Sequence, residues 1–230
     1  MIGPITDFPY LLQQVSDHMS CDKTLPALNG VYFEARGAYL YAVATDRHTM
    51  AVTRRRLETR TARPWAVLVG EQELKSLRAF ARLNRRTPLT LEFRPATVDL
   101  FKPNALAVRA GGQSLEVPGY DGELPALWAR DQWRETLTSH LHSAPNLRQE
   151  LTLNPTLLAR WGRSGGVARN APLTVWTGGP GKPLVITCGE DFVGLQMPIR
   201  VSSDAAQPAD IVSRWGDLAS HAGQSEGQAA

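Results

Sequence analysis

The sequence predicts an α+β fold built from repeated helix-plus-antiparallel-strand units, and three observations predict it. Apolar residues alternate through residues 28–55: Val31 and Phe33, then Leu40, Ala42 and Ala44, with breaks at Arg36-Gly37 and Asp46-Arg47. That pattern is three short strands joined by tight turns. Residues 71–84 carry apolar side chains at helical spacing, with acids in the first turn and bases in the last, as the helix dipole favours. Short apolar runs at 89–93, 98–101, 105–108 and 114–117, separated by Pro, Gly and Asn, read as four further strands.

Taken in order, Asp7 is placed to cap a first helix starting near Pro9, where its carboxylate accepts free amide protons and proline is tolerated. Tyr10, Leu11, Leu12, Val15 and Met19 then give that helix one apolar face. Residues 24–26 lead into the three strands, residues 59–64 form a polar, arginine-rich loop, and residues 65–69 form a compact strand. In the helix at 71–84, Leu74, Leu77 and Ala81, with Phe80 beside them, make the core face. Lys75, Arg78, Arg82 and Arg85 recur every three or four positions on another side, and Arg86 follows. Four cations in register can follow a nucleic-acid backbone without reading bases; a solvated cationic face is the plainer alternative.

Residues 118–125, PGYDGELP, close this part of the chain. The pattern weakens over 126–147, where Trp128 and Trp133 anchor a connection without assignable secondary structure. A strand at 150–153, a short helix at 155–163 capped by Asn154, a loop at 164–170 and strands at 173–177, 184–187 and 192–199 repeat the same order. The polar residues 202–230 read as a disordered tail, with a brief helix at 211–218. The division expected is 1–125, 126–201 and that tail.

At 230 residues with a hydrophobic fraction of 43%, the chain can bury a core, and it contains no apolar run of membrane-spanning length. The N-terminal residues lack the pattern of a signal peptide, so a cytoplasmic protein is expected. Cys21 and Cys188 lie far apart and read as buried free thiols. The net charge is only +3, yet eleven cations fall between Arg47 and Arg86 against Glu58, Glu71 and Glu73, which makes a local basic surface.

Catalytic and metal chemistry find little support. Asp46 and His48, two apart in a turn, have no fixed nucleophile nearby. His140 and His142 on one strand face would supply only two metal ligands. GGPGKP at 178–183 lacks phosphate-loop spacing and reads as a hairpin loop. The expectation is a protein with no catalytic residues, no metal and no cofactor.

Several motifs, in order, carry a family resemblance. LNGVYFE followed by VATDRHTMAV resembles the start of the middle domain of the bacterial DNA sliding clamp, the beta subunit of DNA polymerase III, whose signature reads ATDGHRLAV. DGELPAL resembles the turn that ends that domain. LNPTLLARW with PLVITCGEDFVGLQMPIR resembles the final helix and strands of the last domain, so the chain looks like a shortened homologue holding a middle domain and the second half of a last one.

The resemblance implies the DNA-clamp, or processivity, fold, with sheets outside and helices on one face. It implies a DNA replication accessory protein that is not an enzyme, whose helices face DNA through Lys75, Arg78, Arg82, Arg85 and Arg86. It implies an apolar groove for clamp-binding peptides of DNA polymerases or repair proteins. Carried over by position, that groove is lined by Leu28, Thr45, Arg47, His48, Thr49, Met50, Pro125, Leu195, Gln196, Met197, Pro198, Ile199 and Arg200, with Pro183 contributing; on pattern alone Leu195, Met197 and Ile199 are ordinary strand core.

Arg47 stands where the family has glycine, and Ala129 and Arg130 stand where it has a basic and an apolar groove residue. The family's first domain has no counterpart, so assembly is open between a homo-oligomer, four copies on simple counting, and a monomer. The alternative function is a regulator or decoy that keeps the groove and does not encircle DNA.

Overall fold

The computed structural model describes residues 1–97, 103–141, 152–163, 172–179 and 181–199. The expected strand at 98–101, the first two residues of that at 150–153, the loop at 164–170, His142, Arg200 and the tail at 202–230 with its helix lie outside these residues. Met1–Pro198 form one unit, and Ile199 opens a second, in which it is the one described residue.

The alternating stretch folds as read. Strands β2 (Gly30–Arg36), β3 (Tyr39–Thr45) and β4 (Thr49–Arg56) make successive hairpins. Gly37 takes a φ of 59° in the first turn, and Arg47 a φ of 75° in the second. A side chain in this left-handed region costs roughly 1–2 kcal/mol, so the β3–β4 turn holds Arg47 through surrounding bonds. The other strands are β1 (Ile2–Ile5), β5 (Trp65–Gly70), β6 (Leu89–Arg94), β7 (Ala105–Ala110), β8 (Gln113–Pro118), β9 (Thr174–Thr177), β10 (Leu184–Thr187) and β11 (Phe192–Gln196).

They form two antiparallel sheets, a four-stranded one in the order β1-β6-β7-β8 and a seven-stranded one in the order β5-β2-β3-β4-β11-β10-β9. The junction β4–β11 pairs Thr49 with Gln196 and Met50 with Leu195, so residues nearly 150 positions apart share one register. β1 is absent from the sequence reading. Its Gly3-Pro4 pair hides it, and the strand is tolerated because it lies at a sheet edge.

Strand periodicity splits the core in two. Val31, Phe33, Ala35, Leu40, Ala42 and Ala44 face helices α1 (Phe8–Ser16) and α2 (Glu71–Leu83), in a cluster that also takes in Leu91, Leu106 and Val108 of the small sheet. Tyr32, Val43, Met50, Val52 and Leu195 face the other way. Helices α3 (Ala126–Ala129) and α4 (Gln132–Leu141) cover that second face. Trp128 and Trp133, each 1% exposed, are its anchors, burial worth about 2–3 kcal/mol for a side chain of this size. Arg134 of α4 reaches the buried Glu34 at 2.9 Å, and Arg36 reaches Asp131 at 2.9 Å, pinning the pair of helices to β2.

Several readings need correction. Asp7 precedes α1 with a φ of 58° and its carboxylate makes no cap; its carbonyl oxygen accepts from Tyr10 and Leu11 instead. α1 stops at Ser16, leaving Met19 beyond it against the core. α2 ends at Leu83, so Arg85 and Arg86 follow the helix and do not extend its stripe. β11 ends at Gln196, short of Ile199. Cys188 is buried but Cys21 is exposed. His140 lies on α4, not on a strand. Asn154 does cap α5 (Pro155–Trp161), its side chain accepting from Thr156 and Leu157. Among the described residues no helix is long and apolar enough to cross a membrane, and no three potential ligands gather for a metal ion.

Candidate functional site

The β3–β4 turn is held by one carboxylate. Asp46 Oδ1 accepts from the amides of His48 and Thr49, at 3.0 and 2.7 Å, and from the Thr49 hydroxyl at 3.1 Å. The Thr45 hydroxyl donates to the Thr49 carbonyl at 2.7 Å and accepts from the Arg47 amide at 3.1 Å. Such Asx and ST bonds fix a turn that passes through a positive φ. From α5, Arg160 donates to Asp46 Oδ2 at 2.5 Å and to the Thr49 hydroxyl at 3.2 Å. Burial alone would raise the Asp46 carboxyl, but the Arg160 hydrogen bond, the Thr49 amide, the guanidinium charge and the His48 amide together hold it below the ordinary value. Asp46 is therefore the ionised anchor of the turn, with no hydrogen bond to His48 beyond the backbone.

A second set of bonds ties β11 to this turn. The Met197 amide donates to the His48 carbonyl at 2.9 Å, and the buried Gln196 accepts from the Trp161 indole. The Trp161 and His18 rings pack at a 40° tilt with their centroids 4.3 Å apart. His18 is fully buried; desolvation first, and then the nearby Arg160 charge, push it down to about 3, so the ring is neutral.

Beside the turn opens a cleft of about 850 Å³. Leu28, Arg47 and Pro125 line it, with Leu25, Leu124, Leu127, Ala129 and Arg130. Trp128 holds the wall in place by stacking on Tyr32 at 4.9 Å and donating its indole proton to the Ala27 carbonyl at 2.8 Å. The lining is mostly aliphatic, with the exposed Arg47, Arg130 and Glu123 as its charged members, and is suited to apolar side chains on a polar backbone.

Of the residues singled out by sequence, Leu28, Arg47 and Pro125 thus line the cleft itself. Met50 and Leu195 pair across β4 and β11 in the core cluster behind it, alongside Leu28 and Trp128. Thr45, Thr49 and Gln196 are buried in the polar bonding just described. His48 is exposed, Met197 is 39% exposed, and Pro198 is half-buried. Pro183 is buried at the start of β10 and does not line the cleft. Ile199 is exposed, and Arg200 lies outside the described residues. Leu124 and Leu127 escape the sequence reading although DGELPAL is a recognisable motif, because the resemblance assigns only its proline to the groove. Arg160 escapes it because nothing local links it to Asp46.

On α2, Lys75 and Arg82 are exposed and Arg78 is half-buried. Lys75 pairs with Glu71 at 3.2 Å. Elsewhere in the basic run, Arg54 pairs with Asp191 at 3.1 Å, and burial lowers the half-buried Arg55, which donates to Gln14 and Thr53. The free cationic surface is narrower than the sequence count suggests.

This arrangement of sheets and helices is the fold of the bacterial sliding clamps. The chain superimposes on a putative DNA polymerase III beta subunit from Eubacterium rectale with a TM-score of 0.63 at 12% identity, over 86% of this chain and 65% of that one. For the beta subunit from Streptococcus pyogenes the values are 0.60, 15%, 87% and 67%, and for the sliding clamp from Pseudomonas aeruginosa 0.65, 14%, 87% and 66%. At these identities the likeness is one of fold, and the chain spans about two thirds of each of these proteins. Residues 4–110 match the family model of the DNA polymerase III beta subunit, central domain, so the resemblance carried by ATDRHTMAV is shown. No curated protein sequence matches the chain.

Proposed function

We propose that this protein is a non-catalytic, clamp-like docking factor of DNA replication that binds clamp-binding peptides of polymerases or repair proteins. The observation that carries this reading is the open aliphatic cleft beside the β3–β4 turn, lined by Leu28, Arg47 and Pro125 and backed by Met50 and Leu195. Apolar peptide side chains would enter the cleft, while His48, Arg47 and Met197 offer polar and adaptable contacts at its edge. On the same reading residues 1–125 correspond to a clamp's middle domain and 126–201 to the end of its last, the protein acts in the cytoplasm, and Lys75, Arg78, Arg82, Arg85 and Arg86 approach duplex DNA phosphates.

Titration of a fluorescent clamp-binding peptide tests the groove. Wild type should bind, and Leu127→Asp, at a half-buried cleft position, and Met197→Ala should each weaken binding. A wild type that leaves the peptide free at high micromolar concentration would sink the proposal. The second reading is a regulator that keeps the groove without holding DNA. It draws support from Lys75 being engaged by Glu71 and Arg78 being half-buried. Peptide binding without retention on duplex, in a protein that light scattering finds monomeric, would favour it.

A further inference from the structure

The arginine-rich loop at residues 59–64 takes no part in the peptide cleft. It borders a second cleft, of about 850 Å³, where residues of β1, β5 and β6 come together. Trp65 and Phe93 line it as a stacked pair, their ring centroids 5.8 Å apart and their planes within 8°. Both rings are half-buried, so the pair offers a flat apolar surface. Arg60 and Arg63 stand at the rim, both exposed, and among the described residues no acid lines the cleft.

These two cations contrast with others nearby. Arg36, Arg54, Arg94 and Arg109 each sit within ion-pair distance of a carboxylate, whereas among the described residues Arg60 and Arg63 pair with none. The loop is nonetheless held, since the Thr61 amide donates to the Gly37 carbonyl at 2.8 Å. The Thr61 hydroxyl is buried without a hydrogen-bond partner among the described residues. A flat aromatic surface and two unpaired guanidinium groups suit a ligand with planar apolar groups strung on an anionic backbone. In duplex DNA the base faces are hidden by stacking, and an acidic peptide carries an aromatic ring only where its sequence supplies one; an unpaired strand presents a planar base beside every phosphate.

We propose that this cleft binds single-stranded nucleic acid, with a base against Trp65 and adjacent phosphates at Arg60 and Arg63. The site is distinct from the peptide cleft, and its test does not rest on that reading. Binding of labelled oligothymidylate is followed by fluorescence anisotropy across a salt series. The proteins compared are wild type, Arg60→Ala/Arg63→Ala, Trp65→Leu and Arg78→Glu/Arg82→Glu, each with its fold checked by circular dichroism. The loop variant alters only exposed side chains, so it keeps the test decisive should Trp65→Leu fail to fold. It should weaken binding at least about tenfold and lower the slope of log K against log salt by roughly 1.4, two phosphates at about 0.7 each.

Trp65→Leu should weaken thymidylate binding by about tenfold and leave binding of an abasic strand unchanged, as loss of one stacked base predicts. The α2 variant should preserve the difference between the two strands. Unaltered binding by the loop variant would overturn the proposal. So would an abasic strand that binds wild type as tightly as thymidylate, or an oligoglutamate of equal charge that competes as well.

Discussion

Replacing Arg160, which does not line the cleft, with methionine should loosen the β3–β4 turn. The side chains of Arg160 and Asp46 are only 20% and 10% exposed, so the change leaves a carboxylate largely cut off from water. Removing one partner of a fully buried pair costs roughly 3–5 kcal/mol. Here the His48 and Thr49 amides remain on Asp46, which reduces the expected loss to about 2–3 kcal/mol. Urea unfolding followed by tryptophan fluorescence measures it, since Trp128, Trp133 and Trp161 are buried in the fold. The pH dependence supplies an independent check. The folded carboxyl titrates below its ordinary value, so its contribution is complete above that value and is lost as pH falls through the folded pKa. The variant should lose less stability than wild type on acidification below the ordinary carboxylate range. A loss under about 0.5 kcal/mol, the size of a surface substitution, together with an unaltered acid limb, would refute Asp46–Arg160 as the anchor of the turn.

Other outcomes follow from neighbouring residues. His18 is neutral and buried, with a pKa of about 3 against 6.5 unfolded, so its share of stability is intact above pH 6.5 and falls by roughly 1.4 kcal/mol per unit on acidification toward 3. His18→Phe should remove that slope in urea titrations and be neutral or stabilising at pH 7, because neither ring nitrogen has a hydrogen-bond partner to lose among the described residues. Gly194→Ala would drive a Cβ into the Trp161 ring and bring it to 3.1 Å from the Met50 carbonyl; with Trp161 held by His18 and Gln196, the midpoint of urea unfolding should drop by the equivalent of about 2–3 kcal/mol. Arg78→Glu/Arg82→Glu should weaken retention on duplex DNA and flatten its salt dependence by about 0.9 for each phosphate no longer neutralised; no change would make α2 a merely solvated face.

The legible parts of the fold are those whose patterns are local. Val31, Phe33, Leu40, Ala42 and Ala44 alternate strictly, and Leu74, Leu77 and Ala81 fall on one helical face, so β2 to β4 and α2 are readable within a residue or two. α3 and α4 are not, because Trp128 and Trp133 are five apart and Asp131 between them takes a φ of 56°, breaking one helical pattern into two short ones. Their role in covering the sheet depends on Glu34 and Tyr32, about a hundred residues earlier. The site divides likewise. Its turn is written in TDRHT, whereas Arg160 lies 114 residues from Asp46 and only folding brings the two together. Leu195 illustrates the limit of periodicity: its spacing reads as strand core, and it is core, yet its partner Met50 stands directly behind the cleft.

The claim that the cleft beside the β3–β4 turn is a peptide-docking site is tested most directly by hydrogen exchange with and without a clamp-binding peptide. Added peptide should slow exchange in the turn at 45–50, in the strand end at 196–198 and in the wall at 124–130, leaving α2 unchanged. Protection confined to other elements, or none at saturating peptide, would contradict the account.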